Sequence, residues 1–352
     1  LTHQQWRLKR TSDFNAEHKM AGETYEVLGL GNAIVDVIAR AEEDFLQRHG
    51  LAKGGMMLVD EQAAHKLYDD MGSATIISGG SAANTIVGLA SLGISSAFIG
   101  KVKDDEAGQS FAHDIRRSGV HFATPFAKDG ASTARCLVLV TPDGERTMNT
   151  YLGACQNLGP DDVDEALVRA SSILYMEGYL WDPPAAKQAF LKAADIAHDA
   201  GRQVALTLSD SFCVDRYRDE FLHLVRTRTV DIVFANEHEL KSLYQTSDFD
   251  AALSALRDEE LLGVVTRSAD GCVVVTHDQT VAVKASPIEK LVDTTGAGDL
   301  FAAGFLAGLV RGCDLRDAGR LGGIAAAEII QHYGARPNVN LASLAAESGI
   351  VL

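Results

Sequence analysis

Short, continuously apolar runs alternate with longer amphipathic segments through most of this chain. The runs fall at 25–31, 75–78, 97–102, 172–176, 203–208, 231–235, 263–266 and 272–276, each of strand length. Between many of them apolar residues recur at helical spacing, over 61–71, 82–92, 106–118, 160–170, 184–200, 216–226 and 236–244. Strands alternating with helices imply a mostly parallel sheet, because a parallel connection needs a crossover of helix length. Runs that are apolar throughout imply a sheet covered on both faces. The expectation is an α/β fold, a three-layer α/β/α domain around one central sheet.

Two regions depart from that rhythm. Residues 34–39 follow the first run after only two residues, and 54–60 come a little later. Farther on, 133–141 and 146–152 flank Pro142-Asp143-Gly144-Glu145, a turn sequence in which Pro presets φ and Gly accepts positive φ. These read as antiparallel strands of a small second sheet, a lid drawn from about 33–60 and 122–155. At the C-terminal end, 297–311 and 315–333 read as helices whose Ala and Gly permit close packing.

The net charge of -16 comes from 32 basic against 48 acidic residues. That balance argues against a nucleic-acid partner, which needs a basic stripe to replace counterions. It also repels nucleotide polyphosphates, so a nucleotide site here must supply its own local positive potential. The five cysteines (Cys136, Cys155, Cys213, Cys272, Cys313) are odd in number and form no C-x-x-C pair. Free thiols in a reducing cytoplasm fit this better than a disulfide framework. No apolar run nears the roughly 20 residues that span a bilayer, so no membrane partner is expected. The first 20 residues are polar and carry charges throughout, and read as a disordered extension with Met20 as an alternative start. The folded domain is then expected over 21–352.

Asp293-Thr294-Thr295-Gly296-Ala297-Gly298-Asp299 opens onto the apolar segment 297–311. The amides of Gly296, Ala297, Gly298 and Asp299 fall where a helix leaves its first donors unpaired. Glycine lets backbone approach a ligand closely, and a helix N-terminus carries partial positive charge, so the loop suits an anion without Lys or Arg. Asp299 in the first turn can take the proton of a hydroxyl attacking a bound phosphate. Standing alone, the same residues also describe an ordinary glycine loop with a capping Asp. They match neither a Walker loop nor a dinucleotide fingerprint.

Asp293-Thr-Thr-Gly-Ala-Gly-Asp-Leu-Phe-Ala-Ala-Gly-Phe305 resembles, over thirteen consecutive positions, the C-terminal signature of the ribokinase-like carbohydrate kinases, also called the phosphofructokinase-B type. The resemblance implies that Asp299 is the catalytic base and that Gly296, Ala297 and Gly298 line the anion hole. Gly79-Gly80-Ser81-Ala82-Ala83-Asn84 is similar to the family's N-terminal G-G-x-x-x-N signature, which implies that Gly79, Gly80, Ser81 and Asn84 hold sugar hydroxyls. Asp36, just after the first run, is the acid that the resemblance assigns to a vicinal diol, for which a two-oxygen acceptor is suited. Asn236-Glu237-His238-Glu239 looks like the N-x-x-E motif, implying Mg²⁺ ordered by Glu239 through water; an Asn N-cap explains the same residues and the two roles are compatible. Thr266 and Gly271, together with Asn236, Thr295, Gly296 and Gly298, fall where the family lines its ATP site.

Within that family the opening motif Gly31-Asn32-Ala33-Ile34-Val35-Asp36 is most similar to the adenosine kinases, where Asn32 and Asp36 would contact the nucleoside. By the same resemblance Cys136 lines the nucleoside pocket, Tyr179 packs on the base, and Arg146 swings in to neutralise phosphate charge. The implied reaction is transfer of the γ-phosphoryl group of ATP to the 5′-hydroxyl of adenosine, with Mg²⁺ and room for a monovalent cation such as K⁺. Another nucleoside (inosine or guanosine), or a sugar such as ribose or fructose, stays open as the acceptor. A non-catalytic nucleoside sensor is the rival from another class, and the retention of Asp299 speaks against it. The assembly is expected to be a monomer or a homodimer.

Overall fold

The computed structural model describes residues 24–352, so the extension expected over residues 1–20 lies outside them. Fourteen strands among the described residues form two sheets. In chain order they are β1 Tyr25–Leu30, β2 Ile34–Arg40, β3 Met56–Leu58, β4 Ala74–Gly79, β5 Ser96–Ile99, β6 His121–Phe122, β7 Ala134–Val140, β8 Arg146–Tyr151, β9 Ser171–Glu177, β10 Gln203–Thr207, β11 Ile232–Asn236, β12 Leu262–Thr266, β13 Cys272–Val275 and β14 Thr280–Val283.

The large sheet runs β14-β13-β12-β11-β10-β9-β1-β5-β6 and is parallel from β12 to β6. β13 and β14 add an antiparallel edge. Strand residues alternate between two buried cores, with Val27 facing one and Leu28 and Leu30 the other, as period-two geometry requires. One face is covered by the helices Pro184–Asp199, Ser211–Arg226, Glu237–Leu243 and Phe249–Asp258. The other carries Ser81–Ser91, Glu106–Arg117, Ala297–Val310 and Leu315–Ile329. The expected three layers are therefore present.

The helix Ala297–Val310 is buried continuously from Leu300 to Val310 and apolar on every side, as a helix enclosed by its neighbours must be. Its close approach to Leu315–Ile329 depends on missing side chains. A Cβ on Gly304 would stand 2.5 Å from the Leu321 carbonyl oxygen and 2.7 Å from the Gly322 Cα. On the opposite flank a Cβ on Gly88 would meet the Leu300 Cδ1 at 2.7 Å. The helix is thus seated from two sides, and its N-terminus is aimed with little freedom.

The small sheet runs β3-β8-β7-β2-β4. Val35, Val37, Leu137 and Leu139 face a core shared with the helices Glu43–Arg48 and Glu61–Asp70. It differs from the sequence expectation in three ways. Residues 75–78, grouped there with the parallel alternation, form β4 and pair with β2 in the small sheet. His121–Phe122, at the start of the second stretch assigned to the lid, instead pairs with β5 in the large sheet. And the pairing is mixed: β2–β4 and β7–β8 are antiparallel, but β2–β7 and β3–β8 are parallel. Only β7 and β8 are joined by a tight turn, so nothing local imposes antiparallel pairing on the others.

Other differences are local. The segment 160–170 divides into a 3₁₀ turn, Pro160–Asp162, and a helix Glu165–Arg169, because Asp164 caps the second piece by accepting from the Leu167 amide at 3.0 Å. The helices Glu43–Arg48, Phe249–Asp258 and Leu341–Glu347 and the edge strand β14 were not expected. No helix among the described residues is long and apolar enough to cross a membrane.

Gly304→Val should force the two C-terminal helices apart and cost about 1–3 kcal/mol of stability, the usual price of overpacking a tight contact. Urea denaturation measures this, and an unchanged midpoint would show that the helix contact yields without cost.

Candidate active site

The chain leaves β1 for β5 on one side and returns to β9 on the other. A crevice opens at the carboxyl ends of parallel strands where the order reverses in this way, and ligands of such sheets bind there. Five segments meet at that point: the β1–β2 turn, the β4–helix turn, the end of β9, the loop 293–299 and the loop 334–336.

The loop 293–299 is held by its first residue. Asp293 accepts from the Thr295 amide through Oδ1 at 2.9 Å and from the Gly334 amide through Oδ2 at 3.1 Å. Its Oδ2 also pairs with Arg146 of β8, and both side chains are nearly excluded from solvent. Burial works to raise the Asp293 pKa, yet Thr295, Gly334 and Arg146 hold it below the ordinary value. Gly296 then takes a left-handed conformation, φ 79°, and a Cβ there would lie 2.8 Å from that of Ala335. The Ala297 amide is used in a turn, donating to the Thr294 carbonyl at 3.2 Å. The amides of Gly296, Gly298 and Asp299 make no hydrogen bond among the described residues, and the space beside Gly298 is open. Three of the four expected donors are therefore free, at the positive end of a 14-residue helix.

Asp299 lies in the first turn of that helix. Its Oδ1 accepts from the Ser81 hydroxyl at 2.7 Å and its Oδ2 from the Asn84 amide nitrogen at 3.0 Å. Burial raises its pKa, opposed by these two donors and by Arg336. The Asn84 Oδ1 is buried with no partner, a spare acceptor on the same carboxamide.

Gly80 precedes Ser81 with φ 100°, and a Cβ there would lie 2.2 Å from the Asn32 carbonyl oxygen. At Gly79 a Cβ would occupy the place of the Asp36 carboxylate, 2.4 Å from Oδ2. The Gly79-Gly80 pair therefore clears room for Asp36 and for the β1–β2 turn. Burial pushes the Asp36 pKa up to about 6, against the pull of Arg336 and Arg146 and with a further push from Asp299. Cys136 faces Asp36 across β2–β7 and Thr150 across β7–β8. Its Sγ accepts from the Thr150 hydroxyl at 3.3 Å, and burial pushes the thiol up to about 12, so it stays protonated.

Two residues that sequence reasoning did not single out organise this group. Glu177, at the end of β9, is fully buried and accepts from the Asn32 amide at 2.7 Å and the Ala82 amide at 2.6 Å. It joins the β1–β2 turn to the start of the helix Ser81–Ser91. Burial pushes its pKa up to about 7 despite those amides. An acid closing the apolar run 172–176 at the carboxyl end of a parallel strand was the available signal. Arg336 donates to the Ser78 carbonyl at 2.6 Å, the Ser78 hydroxyl at 2.7 Å and the Ala83 carbonyl at 3.2 Å. Ser78 in turn donates to Asp114. Burial lowers the Arg336 pKa while Asp114, Asp36 and Asp299 raise it, and a guanidinium keeps its charge throughout. No spacing in the sequence distinguishes this arginine from its neighbours.

The remaining residues lie along the carboxyl edge of the sheet. Tyr179 is in the 3₁₀ turn Gly178–Trp181 after β9, 37% exposed, with its amide donating to the Ser209 hydroxyl. Burial and the nearby Asp210 and Asp299 charges raise its pKa. Asn236 and Glu239 form a reciprocal capping box at the helix Glu237–Leu243, with each carboxylate oxygen of Glu239 accepting from Asn236. Burial pushes Glu239 up to about 7. Thr266 ends β12. Gly271, φ 86°, stands where a Cβ would lie 2.1 Å from the Val283 carbonyl oxygen, so the hairpin explains that glycine.

A doubly covered parallel sheet with a second small sheet beside its carboxyl edge is the architecture of ribokinase-like kinases, phosphotransferases that act on a hydroxyl group. Residues 58–341 match the pfkB family carbohydrate kinase profile, and the chain belongs to that family, whose members use ATP, usually with Mg²⁺. It is similar to the solved adenosine kinase of Sinorhizobium meliloti, at 53% identity and TM-score 0.86, covering 93% of this chain and 100% of that one. A probable sugar kinase of Rhizobium etli aligns at 49% identity and TM-score 0.87, covering 94% and 100%. Adenosine kinase of Saccharomyces cerevisiae is 28% identical over 333 residues, 88% of this chain and 96% of the relative.

Glu239 yields a pH prediction. Its folded pKa of about 7 exceeds the unfolded value near 4.5, so the folded state keeps a proton that the unfolded chain loses first. Its contribution is complete below pH 4.5 and is lost as pH rises through 7. Glu239→Gln keeps a residue suited to the capping box, and should gain on the wild type by on the order of 2 kcal/mol between pH 5 and pH 8. Parallel urea curves at the two pH values would contradict this.

Proposed function

We propose that the protein transfers the γ-phosphoryl group of ATP to the 5′-hydroxyl of adenosine, giving AMP and ADP. The observation that carries the reading is Asp299, a carboxylate oriented by Ser81 and Asn84 beside the free amides of Gly296 and Gly298. A base next to an anion cradle is what phosphoryl transfer to a hydroxyl requires. The adenosine assignment is supported by 53% identity to the Sinorhizobium adenosine kinase along nearly the full length of both chains.

In this reading Asp36 accepts from the two ribose hydroxyls, and the spare Oδ1 of Asn84 accepts from another group of the acceptor. Gly79, Gly80 and Ser81 set the close approach, and Asn32 holds the turn beside it. Cys136 and Tyr179 supply surface for the base. Asp299 takes the proton from the 5′-hydroxyl as the free amides of Gly296, Gly298 and Asp299 draw on the charge of the moving phosphoryl group. The Ala297 amide, bonded to Thr294, adds only its place in the helix dipole. Arg146 brings a cation on the small sheet, which then acts as a lid, and its Nε is buried without a partner. Closing the lid over the crevice keeps water from competing with the acceptor.

The nucleotide would lie along Asn236, Thr266, Gly271 and Thr295. Among the described residues no three His, Cys, Asp or Glu side chains converge as a metal cage. That suits Mg²⁺, which keeps its waters and the phosphate oxygens and needs only a carboxylate such as Glu239 reached through water; it supplies charge neutralisation. A K⁺ near the anion cradle and a role in purine salvage in the cytoplasm belong to the same reading.

A coupled ADP-release assay with adenosine, inosine, guanosine, ribose and fructose should give the highest kcat/KM with adenosine. A sugar preferred over every nucleoside would replace the acceptor while leaving the kinase assignment, in line with the sugar kinases among its relatives. Asp299→Asn should fold and lose about 10²–10⁴ in kcat. Turnover near wild type would remove Asp299 as the base.

A further inference from the structure

The loop that follows the helix Leu315–Ile329 touches three parts of the crevice. Tyr333 stands against the β7–β8 turn, where a Cβ on Gly144 would lie 2.6 Å from its hydroxyl oxygen. The Gly334 amide holds Asp293, and Ala335 packs on Gly296 at the start of the anion cradle. Arg336 reaches the turn between β4 and the helix Ser81–Ser91. Glu328 fixes the loop at both ends, bonding the His332 Nε2 at 2.9 Å and accepting from the Asn338 amide at 3.0 Å.

All three nitrogens of the Arg336 guanidinium donate, to the Ser78 carbonyl and hydroxyl and to the Ala83 carbonyl. These acceptors bracket Gly79-Gly80-Ser81. Ser81 lies inside the bracket and Asn84 directly after it, and both orient Asp299. The planar fork of arginine suits a task that spans two carbonyls at once.

Carbonyls and a hydroxyl need donors, however, and not a charge. Arg336 makes no ion pair among the described residues. A cation drawn out of water is retained only where charge around it compensates. Asp114 of the helix Glu106–Arg117, Asp36 of β2 and Asp299 do so from a distance. The other crevice guanidinium, Arg146, is already paired with Asp293. Of the two, Arg336 pulls harder on Asp36, which also feels Asp299 and lies across from the protonated Cys136 thiol. Asp299 has Glu177 near it as well.

We propose that Arg336 is a positioning residue of the kinase, clamping the acceptor turn through its fork and keeping Asp36 ionised through its charge. The inference rests on the reading of Asp36 and Asp299 as acceptor ligand and base, and adds the group that serves both. Its neighbours in the loop hold the anion cradle, so one short segment sets the two glycine turns against each other.

Two variants separate the fork from the charge. Arg336→Gln keeps a donor for the carbonyls and loses the charge; Arg336→Lys keeps both a donor and the charge. Carboxyl ¹³C NMR of the full chain with labelled aspartate, assigned with Asp36→Asn, follows Asp36 without any acceptor bound. Its midpoint of about 6 should rise by about one pH unit in Arg336→Gln and stay near the wild type in Arg336→Lys. Steady-state kcat/KM should fall about tenfold or more in Arg336→Gln and be partly restored in Arg336→Lys. Each variant is compared with the wild type on whichever of the five acceptors the wild type prefers. A wrong acceptor assignment thus shows in the wild type, and failure of the clamp only in the ratio. An Asp36 midpoint unmoved in Arg336→Gln, or raised equally in Arg336→Lys, would overturn the electrostatic role, and unchanged kcat/KM in Arg336→Gln would overturn the clamp.

Discussion

The Asp299 carboxylate sits between the Ser81 hydroxyl and the Asn84 carboxamide, groups more than 200 residues away in the chain. That contact exists only if the helices Ser81–Ser91 and Ala297–Val310 begin at the same place on one face of the large sheet. The sheet order provides it, since β1 and β9 part the chain at a single crevice. Glycine packing then holds it: Gly88 admits Leu300 on one flank and Gly304 admits Gly322 on the other. A helix seated so tightly holds its free amides and the Asp299 carboxylate in a fixed relation.

The charge distribution around that contact is unusual for so acidic a chain. Asp36, Glu177, Asp293 and Asp299 converge on the crevice with two guanidiniums, Arg146 and Arg336. Their environments separate the four acids by role. Asp293 is held below the ordinary range by amides and Arg146, which makes it a fixed anchor for the loop. Glu177 and Asp36 are pushed upward by burial, to about 7 and about 6. Glu177 is occupied with two backbone amides, whereas Asp36 accepts no hydrogen bond among the described residues and lies beside Gly79.

Much of this was open to a reader of the sequence. The alternation of apolar runs and helical spacing gave the covered parallel sheet, because periodicity reports burial directly. The glycine pairs at 79–80 and around 296–298 marked close backbone approaches, and Asp36 and Asp299 were recognisable beside them. The mixed pairing of the small sheet was not readable, since β2 and β7 are joined by neither a turn nor a pattern that specifies direction. Glu177 and Arg336 were hidden for a related reason. Each is a single charged residue whose importance comes from what the fold places against it, and no local spacing encodes that.

The sequence alone determined the layer architecture, the two glycine turns and the place of Asp299 in the first turn of the helix after the second of them, all properties of short segments. Tertiary structure decided which of those segments meet. It also decided that the Ala297 amide is consumed by a turn while its neighbours stay free, and how far each buried acid departs from its usual pKa. The physical reason is range. Helical and strand periods are written within a dozen residues, whereas the charge state of Asp36 and the hydrogen bonds of Asp299 depend on neighbours brought in from across the chain and on the exclusion of water between them.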